Sequence, residues 1–361
     1  MASNILKIYT LALFLLPLFT NCSENAPSIE SLDIKIEAEE FIYETADFPQ
    51  SHASTIAETD EGLIAAWFGG THEKHPDVSI YSSTYRNGEW SSPLCVADGV
   101  INDTLRYPCW NPVLYKLPKG PLMLFYKVGP NVHDWWGELK KSYDNGKTWS
   151  EAERLPEGFL GPIKNKPVLI NDSILIAPSS TERKSDDDWR VHFEISKDFG
   201  ETWEFVGPIS KENRYDIIQP SILSYDDGRL QMLARSKEDY VMSSWSSDNG
   251  QTWSEPEHTT LPNPNSGTDA VTLQNGLQLI VYNHSHKEKD GWGGPRTQLS
   301  IALSEDGENW IQVLTLEDED PEDENPAEFS YPAVIQGENG DIHITYTYNR
   351  DTIKYVRLKI G

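Results

Sequence analysis

A repeat constrains this chain more than any other feature. Ser142-x-Asp144-x-Gly146-x-Thr148-Trp149 recurs as Ser196-x-Asp198-x-Gly200-x-Thr202-Trp203 and as Ser246-x-Asp248-x-Gly250-x-Thr252-Trp253. A shortened copy, Ser304-x-Asp306-Gly307-x-x-Trp310, follows, and a degenerate one, Arg86-Asn87-Gly88-Glu89-Trp90, lacks the Asp. The Trp positions 90, 149, 203, 253 and 310 lie 59, 54, 50 and 57 residues apart. That is the length of a four-stranded propeller blade rather than of a helical repeat. Asp-x-Gly suits a tight hairpin, since Asp bonds the turn amides and Gly takes positive φ. The Trp is then expected to pack between neighbouring blades.

A second register runs between these boxes. Alternating apolar strands begin at His52-Ala53-Ser54, Asn111-Pro112-Val113, Lys166-Pro167-Val168, Gln219-Pro220-Ser221, Asp269-Ala270-Val271 and Tyr331-Pro332-Ala333. Most then turn through a Gly into another apolar strand, the hairpin signature of all-β structure. Six copies predict a single-domain, six-bladed β-propeller over residues 35–361, and no stretch carries a helical period long enough for a substantial helix. A length of 361 residues permits one large all-β domain.

These boxes and spacings resemble the sialidase superfamily, the Asp-box (BNR-repeat) propellers, over nearly the whole chain after residue 34. In that superfamily the boxes are structural and lie far from the active site, so the resemblance implies a fold and leaves the chemistry to the site. Its members open with Arg-Ile-Pro, which supplies one of three arginines gripping the substrate carboxylate; here the matching residues are Ser51-His52-Ala53. Arg235 stands sixteen residues after Gln219-Pro220, where the resemblance places the second arginine, and Arg296 matches the third. The superfamily's nucleophile is the Tyr of Tyr-Ser-x-Leu, activated by the Glu of Glu-Pro. This chain has Phe329-Ser330-Tyr331-Pro332 and Gln219 instead. Phe cannot attack an anomeric carbon and Gln cannot take a proton, so sialidase chemistry would require Tyr331 to have moved into the role. Asp77 lies near where the acid/base Asp is expected, in a loop with His75.

Thirty Lys+Arg against 57 Asp+Glu leave a net charge of −27, which argues against nucleic acid as a partner. An acidic ligand would need a local cationic cluster set against that field. The six strand starts His52, Asn111, Lys166, Gln219, Asp269 and Tyr331 are all polar and are expected at one height around a central mouth. Arg106, Trp110, Lys164, Arg235, His284 and Arg296 lie near them in sequence. This set suits a carboxylate or sulfate on a sugar, with aromatic rings to stack on it.

The arrangement suits β-elimination from the terminal uronic acid of an acidic oligosaccharide. His52, His75, Asp77, Lys166 and Tyr331 are the candidate catalytic residues; Arg106, Trp110, Asn111, Lys164, Gln219, Arg235, Asp269, His284 and Arg296 are the candidate binding residues. Neutralising the carboxylate acidifies the proton on C5, and a His, Lys or Tyr abstracts it. A sialidase-like exo-glycosidase and a non-catalytic glycan-binding propeller are the alternatives. No cofactor or metal is expected, because the three Cys lack metal spacing and the acidic run 317–324 reads as a solvated loop.

At the N-terminus, an apolar run over residues 5–20 followed by Asn21-Cys22-Ser23 reads as a secretory signal of lipoprotein type, with Cys22 lipidated and 23–34 a linker. Asn21 departs from the usual small residue, and an ordinary cleaved signal is the alternative. Exported localisation, membrane contact only through that lipid, and a monomeric state complete the expectations. Cys95 and Cys109 remain for a disulfide in an oxidising compartment.

Overall fold

The structure is a computed structural model that describes residues 29–183, 188–210, 214–289 and 291–361. Six antiparallel sheets ring an axis. Blade I runs through Gln50–Thr59, Gly62–Gly70, Ser79–Arg86 and Glu89–Trp90, and Leu94–Ala97 adds to its third strand. Blade II is Cys109–Lys116 to Glu153–Arg154, blade III Val168–Ile170 to Glu204–Val206, blade IV Ile217–Ser224 to Glu257–Pro262, and blade V Asp269–Thr272 to Ile311–Asp318. Blade VI takes its three inner strands from Phe329–Gln336, Ile342–Tyr348 and Thr352–Ile360, and its outermost strand from the other end of the chain, Ile34–Phe41. That exchange closes the ring and leaves no open edge at the seam. Among the described residues the only helical element is one short turn, Ile29–Ser31. Ile29, in the stretch read as linker, packs into the core of blades V and VI.

Each box closes the turn between third and fourth strands. Asp144 Oδ1 accepts from the Thr148 N–H (2.8 Å) and from Ser142 Oγ (2.9 Å), while Oδ2 accepts from Thr148 Oγ1 (2.6 Å). Asp198 and Asp248 repeat this geometry. In the shortened box Asn309 replaces Thr as donor to Asp306. The box glycines take positive φ, and at Gly146 (φ 84°) a Cβ would also fall 2.4 Å from the tip of the Ile64 side chain of the preceding blade, so another residue there would be strained. The box Trp rings fill the seams between blades: Trp253 stacks on Phe193 at 4.1 Å, Trp203 meets Phe125, and Trp90 meets Tyr355 across the closure. Within a blade the strands alternate direction, so the box turns lie on one face of the disc. The starts of the inner strands and the loops between second and third strands lie on the other.

Four inner strands carry a bulge just after they start. The ladder slips between His52 and Thr55, between Trp110 and Val113, between Ile218 and Ser221, and between Ser330 and Ala333. The first bulged residue of each is left-handed: Ala53 (φ 58°), Asn111 (31°), Gln219 (57°) and Tyr331 (52°). Pro follows in three of the four, at a position where the ladder needs no N–H. These are non-Gly residues in a conformation that costs on the order of 1 kcal/mol or more, as residues at functional sites often are.

Candidate functional site

The bulges correct the expected register at one place. Ala53, not His52, is the counterpart of Asn111, Gln219 and Tyr331. A one-residue shift reverses the side-chain direction, and His52 is buried beneath the mouth, against Phe68 and 4.2 Å from the Tyr331 ring. Its Nδ1 has no hydrogen-bond partner. Burial and the nearby Arg350 charge push its pKa well down, against the pull of Glu328.

Lys166 and Asp269 form a buried hub on the axis. Asp269, 1% exposed, accepts from Lys166 Nζ (2.6 Å), Ser221 Oγ (3.0 Å), the Val334 N–H (2.9 Å) and the Ala270 N–H (2.9 Å). Lys164 Nζ donates to Asn165 Oδ1 (2.8 Å), Thr268 O (3.0 Å) and Pro332 O (2.7 Å), and burial lowers its pKa to about 7. These groups tie blades III, IV, V and VI together under the Tyr331 ring.

Above the hub stands the pair with the most distinctive chemistry. Arg235, 2% exposed, donates from Nη1 to the Tyr331 hydroxyl oxygen (2.8 Å) and to Gln219 Oε1 (3.3 Å). Its Nε and Nη2 donate to Asn265, to Oδ1 at 3.1 and 2.9 Å and to the carbonyl at 3.0 Å. All five guanidinium donors are thus engaged. Burial presses on its charge, and the faces of Trp189 (5.1 Å), Trp292 (5.8 Å) and Tyr331 (5.8 Å) surround it. Tyr331 Oη accepts from Arg235 and donates to no acceptor among the described residues, so its proton is free for a ligand.

A cleft of about 290 Å³ lies over this pair, walled by Trp110, Trp135, Trp189, Trp292 and Asn111. Trp110 anchors the wall by donating from Nε1 to Gly129 O (3.0 Å). Its charged lining is mixed: Glu73, Glu182, Arg235 and Lys74, the last exposed and without an ion pair among the described residues. Beside it runs an ionic chain. Glu328 takes Arg296 (3.1 Å) and Arg350 (2.8 Å), and Arg350 also takes Glu73 (2.7 Å). Burial opposes the Glu328 charge, but the neighbouring His52 and the two guanidinium groups hold its carboxyl far below the usual range. The arginines are therefore largely compensated within the protein, and the mouth is less cationic than the sequence led us to expect.

Four remaining candidates sit apart from the cleft wall. His75 and Asp77 pair at 2.8 Å on the rim loop, each about two-fifths exposed. Burial works against the Asp77 charge, yet bonds from the Thr71 N–H, Thr71 Oγ1 and His75 lower its pKa. Arg106 braces that loop, donating to Asp77 O (2.9 Å) and Ser79 Oγ (2.6 Å). His284 bonds to the Tyr282 hydroxyl, and burial lowers its pKa. Cys95 and Cys109 are both free, and Cys22 lies outside the described residues. The sequence did not single out Arg350, Asn265, Trp135, Trp189, Trp292 and Glu182. The Trp residues outside the boxes were the available signal; the others come from loops without a motif.

Fold and site together define a single-domain, six-bladed Asp-box propeller with a Trp-walled axial cleft. The chain belongs to the BNR repeat-like domain family, which matches residues 61–344. Its fold is similar to that of a protein of unknown function from Dyadobacter fermentans, at TM-score 0.74 and 15% identity over 91% of this chain and 99% of that one. It is also similar to the NanB sialidase of Streptococcus pneumoniae (TM-score 0.68, 13% identity, 89% of this chain and 70% of that one). Penicillium chrysogenum α-L-arabinanase gives TM-score 0.64 and 16% identity over 90% of this chain and 98% of that one. No curated protein sequence matches the chain. The sialidase-like propeller is thus the fold of this protein.

Proposed function

We propose that the protein is an exported, exo-acting enzyme on the terminal uronic acid of acidic oligosaccharides, working by β-elimination. The observation that carries this reading is the Tyr331 hydroxyl, bonded by Arg235 at 2.8 Å at the base of a Trp-walled cleft. The terminal ring stacks between the Trp faces. Its carboxylate meets Lys74, with the buried Arg235 charge beneath it, and these cations acidify C5. Tyr331 Oη takes the C5 proton as it hands its own proton to the departing C4 oxygen, so that the C4–O bond breaks, the C4–C5 double bond forms and Tyr331 ends as it began, leaving an unsaturated sugar plus water or a shortened glycan. Glycoside hydrolysis is the second reading, favoured by two carboxylates, Glu73 and Glu182, on the same cleft. The similarity to a sialidase and an arabinanase supports carbohydrate processing in either form.

The test is incubation with uronate-terminated, sialylated and neutral oligosaccharides, following ultraviolet absorbance and product mass together. Growing absorbance with loss of water or of a glycan supports elimination. A freed terminal sugar without absorbance returns the protein to the hydrolases, and a tight complex with unchanged ligand to the binding modules. Lipid anchoring at Cys22 belongs to the same proposal, and loss of fatty-acid labelling in Cys22→Ala checks it.

A further inference from the structure

A second groove opens from the cleft. Val132, His133, Trp135 and Glu182 line both the axial cleft and a groove of about 250 Å³ that runs outward between blades II and III. Its far walls are Trp136, Arg154 and the loop from Leu155 to Leu160. The exposed Arg154 guanidinium lies 4.4 Å from the Trp136 ring centroid and makes no ion pair among the described residues. Taken singly, neither cavity reaches the usual size of a ligand pocket, about 300 Å³ or more, but the two joined do.

A buried ionic cluster that the cleft chemistry does not use holds this groove in shape. Lys127, His192 and Glu194 are all buried between blades II and III. Glu194 accepts from the Leu160 N–H (2.9 Å), the Gly161 N–H (2.7 Å) and His192 Nε2 (3.0 Å), and Lys127 Nζ donates to Pro162 O. Gly161 is left-handed (φ 68°), and a Cβ there would come within 3.0 Å of Phe125, so the loop backbone rests directly on the core. Burying charges is costly unless they are fully bonded, and here the bonds made are those that fix residues 160–162. The groove wall is thereby preorganised rather than draped over the surface.

We propose that this groove is a second carbohydrate subsite that takes the sugar next to the terminal residue, with Arg154 meeting an anionic group on it. The inference rests on the axial cleft being a sugar site. It makes the ligand an oligosaccharide carrying charge on at least two successive residues, with the chain leaving the axis between blades II and III. Trp135, shared by both cavities, is the partition on which the linkage between the two residues lies.

Binding rather than turnover tests this, so that failure of the elimination chemistry leaves the groove test standing. Calorimetry is run on the full chain carrying Tyr331→Phe, with the methyl glycoside of one uronate, oligogalacturonates of two to five residues, and neutral xylo-oligosaccharides. Affinity is expected to rise about tenfold or more from the single uronate to the oligomers, the value of one charge-assisted contact. Adding Arg154→Ala should abolish that gain and leave the single-uronate affinity unchanged. Phe159→Ala should reduce the gain without removing it. Equal affinity for single residue and oligomer, or a gain that survives Arg154→Ala, overturns the subsite. Equal gain for the neutral ladder overturns the anionic recognition, and no binding of any ligand overturns the sugar site beneath both.

Discussion

Replacing Asp269 by Ala is the most informative test of how the mouth is held. The change removes acceptors for four donors and leaves Lys166, with a side chain only 19% exposed, without its counter-charge. It also strands the buried Val334 N–H; Ala270 keeps a second acceptor in Ser221 Oγ at 3.1 Å. Breaking a buried ion pair costs about 3–5 kcal/mol, and an orphaned amide about 1–3. Because Lys166 can extend toward solvent, a total of about 4 kcal/mol is the reasoned figure. With an unfolding entropy of about 2.1 cal/mol/K per residue over roughly 330 residues, or about 0.7 kcal/mol/K, the melting temperature should fall by about 6 °C. Asp269→Asn can turn its amide oxygen toward Lys166 and Val334 and should lose about half as much. Scanning calorimetry of the two variants at neutral pH reads this directly. A melting temperature for Asp269→Ala within about a degree of the parent would refute the idea that one carboxylate ties four blades together.

Three further outcomes follow from the same geometry. Tyr331→Phe keeps the ring over Lys164 and His52 but removes the oxygen that Arg235 holds, so turnover should drop by about 100-fold or more while the melting temperature falls by only a few degrees, the cost of one orphaned Arg235 donor; full activity in this variant would remove Tyr331 from the chemistry. The Thr148 hydroxyl and amide lower Asp144 to about 2 and the same Thr202 groups lower Asp198 to about 2, both from 3.8. A depressed folded value means their contribution is present above about pH 4 and fades as the pH falls toward 2, so in acid melting curves the parent's advantage over Asp144→Asn should vanish across that window. Cys95 is exposed and Cys109 buried, with burial raising the Cys109 thiol. Maleimide should label one thiol in the native domain and both only after unfolding, and protection of both would indicate a disulfide.

Much of the fold was legible because its signals are local. Asp144, Gly146 and Trp149 act within one turn and one blade seam, so a spacing of 50–59 residues was enough to count blades. The site was legible only in part. Gln219 and Tyr331 were found at strand starts and do share the mouth, but His52 was misplaced by one residue because a bulge in the first inner strand falls at Ala53. Pro marks the bulge in three strands and is absent from the first, so nothing in the sequence showed the slip. The cationic cluster was read from Arg106, Lys164, Arg235 and Arg296 lying near the strand starts, and that placement does not reveal that Glu328 bridges Arg296 and Arg350 while Glu73 takes the other side of Arg350.

What the sequence determined by itself is the architecture: box turns, hairpins and alternating strands are satisfied inside single blades, by residues a few positions apart. What tertiary structure alone decided is the cleft. Arg235, Asn265, Trp292 and Tyr331 lie on three blades and up to 96 residues apart, and their contacts exist only because the ring of sheets brings the same face of each blade to one axis. No local pattern can encode that convergence, since each side chain finds its partner across the axis rather than along the chain.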